Sequence, residues 1–142
     1  MNLLDELKKK YPEAQAWSIG DSSELANSLA ELVKNGIKTA SCGSLSSYKE
    51  EASPPRIGSC NIILNGQGEP VCVIRIISLS LVRFSEVTED FARKEGEGNL
   101  SLEYWRAEHK RFFTECGNYS EDMELVAEEF EVVEICDQTL PM

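Results

Sequence analysis

An amine, a hydroxyl group and two carboxylates stand out in two short segments of this sequence that contain glycine. Lys38 and Ser41 lie three residues apart in NGIKTASCGS, and small or hydroxylated residues follow the lysine. Glu95 and Glu97 alternate with glycines in EGEG. If the fold brings the two segments together, these groups suit ligand binding or acid–base chemistry. Taken singly, each residue also fits a solvated loop, the usual place for a charged side chain.

Aromatic residues supply candidate surfaces on which a nucleobase could stack. Trp105 and His109 are four residues apart, which makes them neighbours on one face of a helix. Trp17 and Tyr48 lie in or near predicted loops. An aromatic face accepts any base, yet each of these rings could equally belong to the hydrophobic core. His109 is the only histidine, so no multi-histidine metal site is expected, and a divalent cation such as Mn²⁺ stays open through the carboxylates.

Two amphipathic helices must position these segments. The first lies in GDSSELANSLAELVKNG, where Ser22 or Ser23 can cap its start and Gly36 can end it in the left-handed conformation. Ile37 is then expected to anchor the following turn in the core. The second lies in SLEYWRAEHKRFFTECG and begins after Ser101. Its predicted apolar stripe comprises Leu102, Trp105, His109, Phe112, Phe113 and Cys116.

The remaining pattern predicts an α+β fold. A short helix over residues 2–10 ends before Pro12, another begins near Thr88, and residues 44–58 are predicted as a loop. CNIILN and VCVIRIISLSLVRF are predicted strands joined by a hairpin with a tight turn at Asn65-Gly66, and FEVVEIC is a late strand. Hairpin-linked strands favour an antiparallel or mixed sheet curled toward a barrel and flanked by helices. We expect one domain over residues 1–142, with its core at about 17–136 and a short N-terminal helix.

Composition limits the functional classes. The formal net charge of −11 argues against a protein held on long nucleic acid by bulk charge. Residues 112–142 hold nine of the acids and neither lysine nor arginine, and we interpret this end as a solvated surface. The sequence has no apolar run long enough to span a membrane, so a cytoplasmic protein that does not bind membranes is expected. The five cysteines form no CxxC pair and are interpreted as reduced thiols.

Several segments together resemble the ASCH domain family. They are AWSIGDSSELANSLAELVKNGIKTAS, YKEEASPPRIGS, GEPVCVIRI, FSEVTEDFARKEGEGNLSLEYWRAEHKRFF and FEVV. The resemblance implies a β-barrel similar to the PUA domain and an association with RNA. It places the family's lysine at Lys38 and its hydroxyl residue at Ser41, where most relatives carry threonine. Family members are RNA-binding modules, a metal-dependent ribonuclease and an amidohydrolase acting on acetylcytidine, whose glutamate aligns with Glu95.

Two classes of function follow, and we favour the first. The first is a pocket at the GIKTAS motif that binds RNA or a nucleotide and reads a modified nucleotide. The second is a hydrolase acting through Lys38, Ser41 and Glu95, in which Lys38 could serve as base only if burial lowered its pKa by more than Glu95 raises it. The predicted ligand-binding residues are Trp17, Lys38, Thr39, Ser41, Tyr48, Glu95, Glu97, Trp105 and His109. The sequence does not define an oligomeric state.

Overall fold

The computed structural model describes residues 3–20, 22–52 and 54–136. The ends of the predicted domain, residues 1–2 and 137–142, therefore lie outside the described residues. The helices are α1 (Leu3–Lys10), α2 (Ser23–Lys34), α3 (Leu45–Glu50), α4 (Glu89–Glu95) and α5 (Leu102–Glu115). The strands are β1 (Gln15–Ser18), β2 (Ala40–Ser44), β3 (Cys60–Leu64), β4 (Pro70–Arg83) and β5 (Glu124–Ile135). A short 3₁₀ turn covers Phe84–Glu86.

The five strands form one mixed sheet in the order β1-β3-β4-β5-β2. β1 runs parallel to β3, and every other neighbouring pair is antiparallel. The long strands β4 and β5 shift register twice, at Val73/Ile74 and at Ile76/Ser78. Such bulges bend a strand and increase its twist, and here the sheet curls into a half-barrel. The predicted α+β fold with a curled mixed sheet and flanking helices is confirmed.

The end of α2 sets up the lysine segment. Gly36 has φ of +76°, its N–H donates to the carbonyl oxygen of Val33, and Ile37 N–H donates to that of Leu32. These two bonds form a Schellman motif, which requires the left-handed residue predicted at Gly36. Ile37 does not anchor the turn in the core, because its side chain is 49% exposed. The motif itself, rather than a buried isoleucine, holds the turn that leads into Lys38.

Serine or threonine side chains cap the N-terminal ends of α2, α4 and α5. Ser22 accepts from the N–H of Leu25 and Ser101 caps α5, as the sequence predicts, and Thr88 caps the helix predicted to begin near it. The loop prediction for residues 44–58 is wrong in part, since Ser44 accepts from Ser47 N–H and starts α3. A run of serines is ambiguous because the same side chain that favours a turn also caps a helix.

Three further expectations are corrected. The last strand begins at Glu124, before FEVVEIC. The β3–β4 hairpin forms, but Gly68 rather than Gly66 takes the left-handed conformation, because the loop runs from Asn65 to Glu69. On α5, Phe112 is 41% exposed and Cys116 is exposed as well. The buried residues of α5 are Trp105 and Phe113, and Phe113 lies about 100° around the helix from Phe112.

Both faces of the sheet are covered. Along β3, Ile62 packs with Leu7 of α1, whereas Ile63 packs with Ala30 and Val33 of α2, because successive strand side chains point to opposite faces. A further apolar cluster joins α5 to the start of β5 through Phe84, Trp105, Phe113 and Leu125. This cluster fixes α5 against β5, and the candidate site lies beside it. None of the helices in the described part of the chain is long and apolar enough to cross a membrane.

Candidate functional site

The two segments that contain glycine meet directly. Gly96 ends α4 with φ of +71°, and a Cβ on it would lie 2.5 Å from the carbonyl oxygen of Ile37. Thr39 N–H donates to the carbonyl oxygen of Lys94 over 2.7 Å. Glycine at position 96 therefore permits both the helix end and the close approach of two backbones. The EGEG segment is the wall against which Lys38 packs.

Lys38 is a buried cation held by two carboxylates. Its side chain is 1% exposed, and Nζ donates to Glu95 Oε1 over 2.9 Å and to Glu97 Oε2 over 2.7 Å. A third donation reaches the backbone oxygen of Glu95 at 3.3 Å. An ammonium group has three donors, so all three are used. Lys38 is thus fixed in position rather than solvated.

Trp105 and His109 hold the other oxygen of Glu95. Trp105 Nε1 donates to Glu95 Oε2 over 2.7 Å, and the ring of His109 stacks on the indole with centroids 4.1 Å apart. His109 Nδ1 lies 2.8 Å from the backbone oxygen of Trp105, which only accepts, so Nδ1 carries a proton. His109 Nε2 lies 3.5 Å from Glu95 Oε2. Burial lowers the pKa of His109, but Glu95 outweighs it and leaves the pKa above its ordinary value.

The competition between burial and charge at Lys38 has a clear outcome. Burial would lower the pKa of Lys38, but Glu95 and Glu97 outweigh it and leave the pKa above its ordinary value. Burial would likewise raise the pKa of Glu95, but Lys38 and His109 outweigh it and lower the pKa to about 2. At neutral pH one group is a firmly protonated cation and the other a weakly basic anion. Neither suits a general base, whose pKa should lie near the working pH.

The stability of the protein should therefore fall in acid. Glu95 has a folded-state pKa of about 2 against an ordinary value of 4.5, so its contribution is complete above about pH 5 and is lost as the pH falls toward 2. The difference corresponds to about 3 kcal/mol of unfolding free energy. Urea unfolding at several pH values measures it. In Glu95→Gln the slope between pH 5 and 2 should flatten, and an unchanged slope would contradict the assignment.

A cavity of about 210 Å³, the Glu95 cavity, brings five of the predicted site residues together. They are Lys38, Ser41, Glu95, Glu97 and His109. Trp105 does not line this cavity, because its ring is 3% exposed and belongs to the core. Thr39 lies apart as well, in a groove of about 410 Å³ on the other side of Lys38, beside Phe130. Trp105 thus acts on the cavity through Glu95 and His109.

A second cavity of about 360 Å³, the Tyr48 cavity, also borders the β2 strand. It contains the remaining two predicted residues, Trp17 and Tyr48, and Ser41 lines both cavities. Trp17 Nε1 donates to Asn61 Oδ1 over 3.1 Å, and the Tyr48 hydroxyl donates to the backbone oxygen of Pro55 over 2.9 Å. The two aromatic rings are therefore fixed in the cavity wall. The roles of all nine residues in binding stay predictions.

The sequence analysis missed most residues of the Tyr48 cavity, including four that bear on its chemistry. They are Cys42, Glu51, Asn61 and Glu128. Glu128 lies in the acidic end interpreted as solvated, yet it is half-buried, and burial together with Glu51 raises its pKa to about 7. The sequence contained a signal for this inward position. Glu128 and Glu129 are adjacent in a strand, so their side chains point to opposite faces of the sheet and one of them must point inward. Asn61, a polar residue inside the apolar strand CNIIL, gave a similar signal.

The residues present do not fit a divalent cation. Among the described residues, Cys42, Glu95 and His109 form a group whose possible metal-ligand atoms all lie within 4.8 Å of one another. Both oxygens of Glu95 are already bonded, to the Lys38 ammonium group and to Trp105. Burial raises the pKa of the Cys42 thiol well above its ordinary value, so the thiolate ligand is disfavoured. A cation would have to displace Lys38 from Glu95, so the chemistry of this site does not use a metal.

The curled mixed sheet, its helices and the buried lysine–glutamate pair define a PUA-like domain. The sequence model of the ASCH domain matches residues 15–134, and the chain therefore belongs to the ASCH domain family, which is associated with RNA binding. The predicted resemblance is confirmed. No curated protein matches the sequence.

Solved structures agree with this assignment. The ASCH domain from Lactobacillus crispatus JV V101 is 37% identical with a TM-score of 0.80, over 91% of this chain and 85% of that one. A protein from Enterococcus faecalis V583 is 36% identical with a TM-score of 0.80, over 98% of this chain and 95% of that one. A hypothetical protein at 17% identity and a TM-score of 0.57 shares the fold alone.

Proposed function

We propose that this protein binds a nucleoside-sized group, either a free nucleotide or one nucleotide of an RNA, with its base in the Tyr48 cavity. The observation that carries the proposal is the lining of that cavity. Trp17 and Tyr48 offer aromatic faces, and Ser41, Asn61 and Glu128 offer polar groups. A volume of about 360 Å³ lies within the usual range of small-molecule sites. Base–aromatic stacking supplies the affinity, and the polar groups orient the base.

The charges around the cavities favour a base over a phosphate. The Tyr48 cavity has two carboxylates in its wall, Glu51 and Glu128, and none of the described residues that line it is a lysine or an arginine. In the Glu95 cavity, Lys38 is already bonded to Glu95 and Glu97, while Arg111 ion-pairs with Glu115. Free cationic donors are the usual side-chain ligands of a phosphate, and the two carboxylates of the Tyr48 cavity would repel it. The ligand group that enters the protein is therefore the base or nucleoside, and any RNA phosphates stay outside the two cavities.

Lys38 then has a positioning role. Its three donations tie the start of β2 to the end of α4, and through Glu95 they reach α5. Ser41 follows Lys38 in the chain, lies in β2 and lines both cavities. A rigid strand places the polar edge of the cavity more accurately than a loop would. In this proposal, Lys38 stabilises the wall of the Tyr48 cavity and does not contact the ligand.

Alanine at Tyr48 should weaken binding. Loss of one stacking surface costs about 1–3 kcal/mol, which is about a 5- to 150-fold increase in Kd. Isothermal titration with the four ribonucleosides and a short single-stranded RNA measures the change. Tyr104→Ala is the matched control, because Tyr104 lines the Glu95 cavity instead. Weaker binding in Tyr104→Ala alone would place the ligand in the Glu95 cavity and overturn the assignment.

Hydrolysis is a second candidate, and one observation favours it. Ser41 and Glu128 are directly paired across β2 and β5, and both line the Tyr48 cavity. Paired residues on one face of a sheet have Cβ atoms about 5 Å apart, which suits a hydroxyl nucleophile and its base. The pKa of Glu128 near 7 suits a base at neutral pH better than those of Lys38 and Glu95.

Turnover separates the two candidates. Wild-type protein is incubated with acetylcytidine and with short RNA, with and without Mn²⁺, and products are followed by chromatography. The binding proposal predicts saturable binding without product. Acetate release that disappears in both Ser41→Ala and Glu128→Gln would instead establish hydrolysis through this pair.

A further inference from the structure

Asn61 offers a buried hydrogen-bond donor to the Tyr48 cavity. Its side chain is 6% exposed, and Oδ1 accepts from Trp17 Nε1 at 3.1 Å. An indole N–H only donates, so this bond fixes which end of the Asn61 amide is oxygen. Nδ2 is buried and has no hydrogen-bond partner among the described residues. A buried donor without a partner is unfavourable in the free protein and is satisfied when a ligand supplies an acceptor.

Glu128 offers an acceptor in the same cavity. It projects from β5 opposite Ser41 and is half-buried. It lines the cavity together with Glu51, the residue that follows α3. The neighbouring residue Glu129 behaves differently, because its carboxylate pairs with Lys94 outside the cavity. The cavity thus presents an amide donor from β3 and a carboxylate from β5, and two aromatic side chains line it as well.

We propose that the Tyr48 cavity recognises the lactam edge of a nucleobase, a ring carbonyl beside a ring N–H. Asn61 Nδ2 donates to the carbonyl oxygen, and the Glu128 carboxylate accepts from the ring N–H. This inference rests on the proposed function and adds the chemical class of the base. Uracil, guanine and hypoxanthine carry this edge. In this orientation, neutral adenine and cytosine place an amino donor against Asn61 Nδ2 and a ring-nitrogen acceptor against the Glu128 carboxylate, which leaves both protein groups without a partner.

The recognition should depend on pH, since ionised Glu128 accepts a much stronger hydrogen bond from the ring N–H than the protonated carboxyl group does. The groups that face it are Glu51, which with burial raises its pKa, the Tyr48 hydroxyl, the Cys42 thiol, and the paired charges of Lys38 and Glu95. With a pKa of about 7, Glu128 is mostly neutral at pH 6 and mostly ionised at pH 8. A lactam ligand should therefore bind about tenfold more tightly at pH 8 than at pH 6.

Two matched pairs of nucleosides test the proposal by isothermal titration at pH 6 and pH 8. Inosine and adenosine share the purine frame, and uridine and cytidine share the pyrimidine frame, so each pair differs at the recognised edge. We expect inosine and uridine to bind at least about tenfold more tightly than their partners at pH 8. Glu128→Gln should remove the pH dependence, and Glu129→Gln should keep it.

Asn61→Asp provides a second variant. It keeps the oxygen that accepts from Trp17 but replaces the free donor, so it should lose the preference for inosine over adenosine. If this variant does not fold by circular dichroism, the nucleoside pairs and the Glu128→Gln pH profile still decide the matter. Equal binding of all four nucleosides, or binding without pH dependence, overturns the lactam inference and leaves the proposed function. Absence of binding by every nucleoside and by short RNA overturns the proposed function itself.

Discussion

Replacing Lys38 by methionine is expected to lower the free energy of unfolding by about 3–5 kcal/mol, the usual cost of removing one partner of a buried ion pair. Methionine fills a similar volume, so the loss comes from charge rather than from a cavity. Glu95, which is 2% exposed, would lose the Lys38 cation and keep only His109 as a basic neighbour, and its pKa should rise. Urea or thermal unfolding followed by circular dichroism measures the effect.

Two companion variants interpret the result. Lys94→Met removes a lysine whose side chain is 49% exposed and which pairs with Glu129, so it should cost less than about 1 kcal/mol. The double variant Lys38→Met/Glu95→Gln removes both charges and should regain part of the stability lost in the single variant. If Lys38→Met and Lys94→Met cost the same, the buried network does not stabilise the fold as described.

Alanine at Gly96 is expected to destabilise the protein by about 2–5 kcal/mol. A left-handed conformation costs a residue with a side chain about 1–2 kcal/mol, and overpacking adds about 1–3 kcal/mol. Both apply here, since φ is +71° and the new Cβ would meet the backbone oxygen of Ile37 at 2.5 Å. A backbone oxygen cannot rotate away as a side chain can, so α4 must move from Lys38. Unfolding experiments and nucleoside titration on the same variant measure both consequences.

Gly117→Ala is the matched control for this substitution. Gly117 has φ of +82°, but a Cβ there meets nothing within 4 Å, so only the conformational cost of about 1–2 kcal/mol applies. Equal losses in Gly96→Ala and Gly117→Ala would show that the close contact with Ile37 is unimportant. A larger loss at Gly96, with weakened ligand binding, would support the view that the two segments must meet to form the binding wall.

The local features of the fold could be predicted because their causes are local. Ser22, Thr88 and Ser101 cap helices through bonds to residues three positions ahead, and Gly36 ends α2 through bonds within the same turn. The strands rich in β-branched residues could also be predicted from the local sequence. Where one local signal served two purposes, as in the serine run before α3, the sequence was ambiguous and the prediction was wrong.

The sequence by itself determined the family, the candidate residues at the lysine and EGEG segments, and the capped helices that lead into them. Only the tertiary structure decided how those residues behave. The pKa of Lys38 depends on burial set against its distances to two carboxylates 57 and 59 residues away. Glu128 lies in the Tyr48 cavity opposite Ser41 because β5 pairs with β2, and this long-range strand pairing is not revealed by alternation within one strand. Long-range distances and strand register are properties of the folded chain, and they control the chemistry of this site.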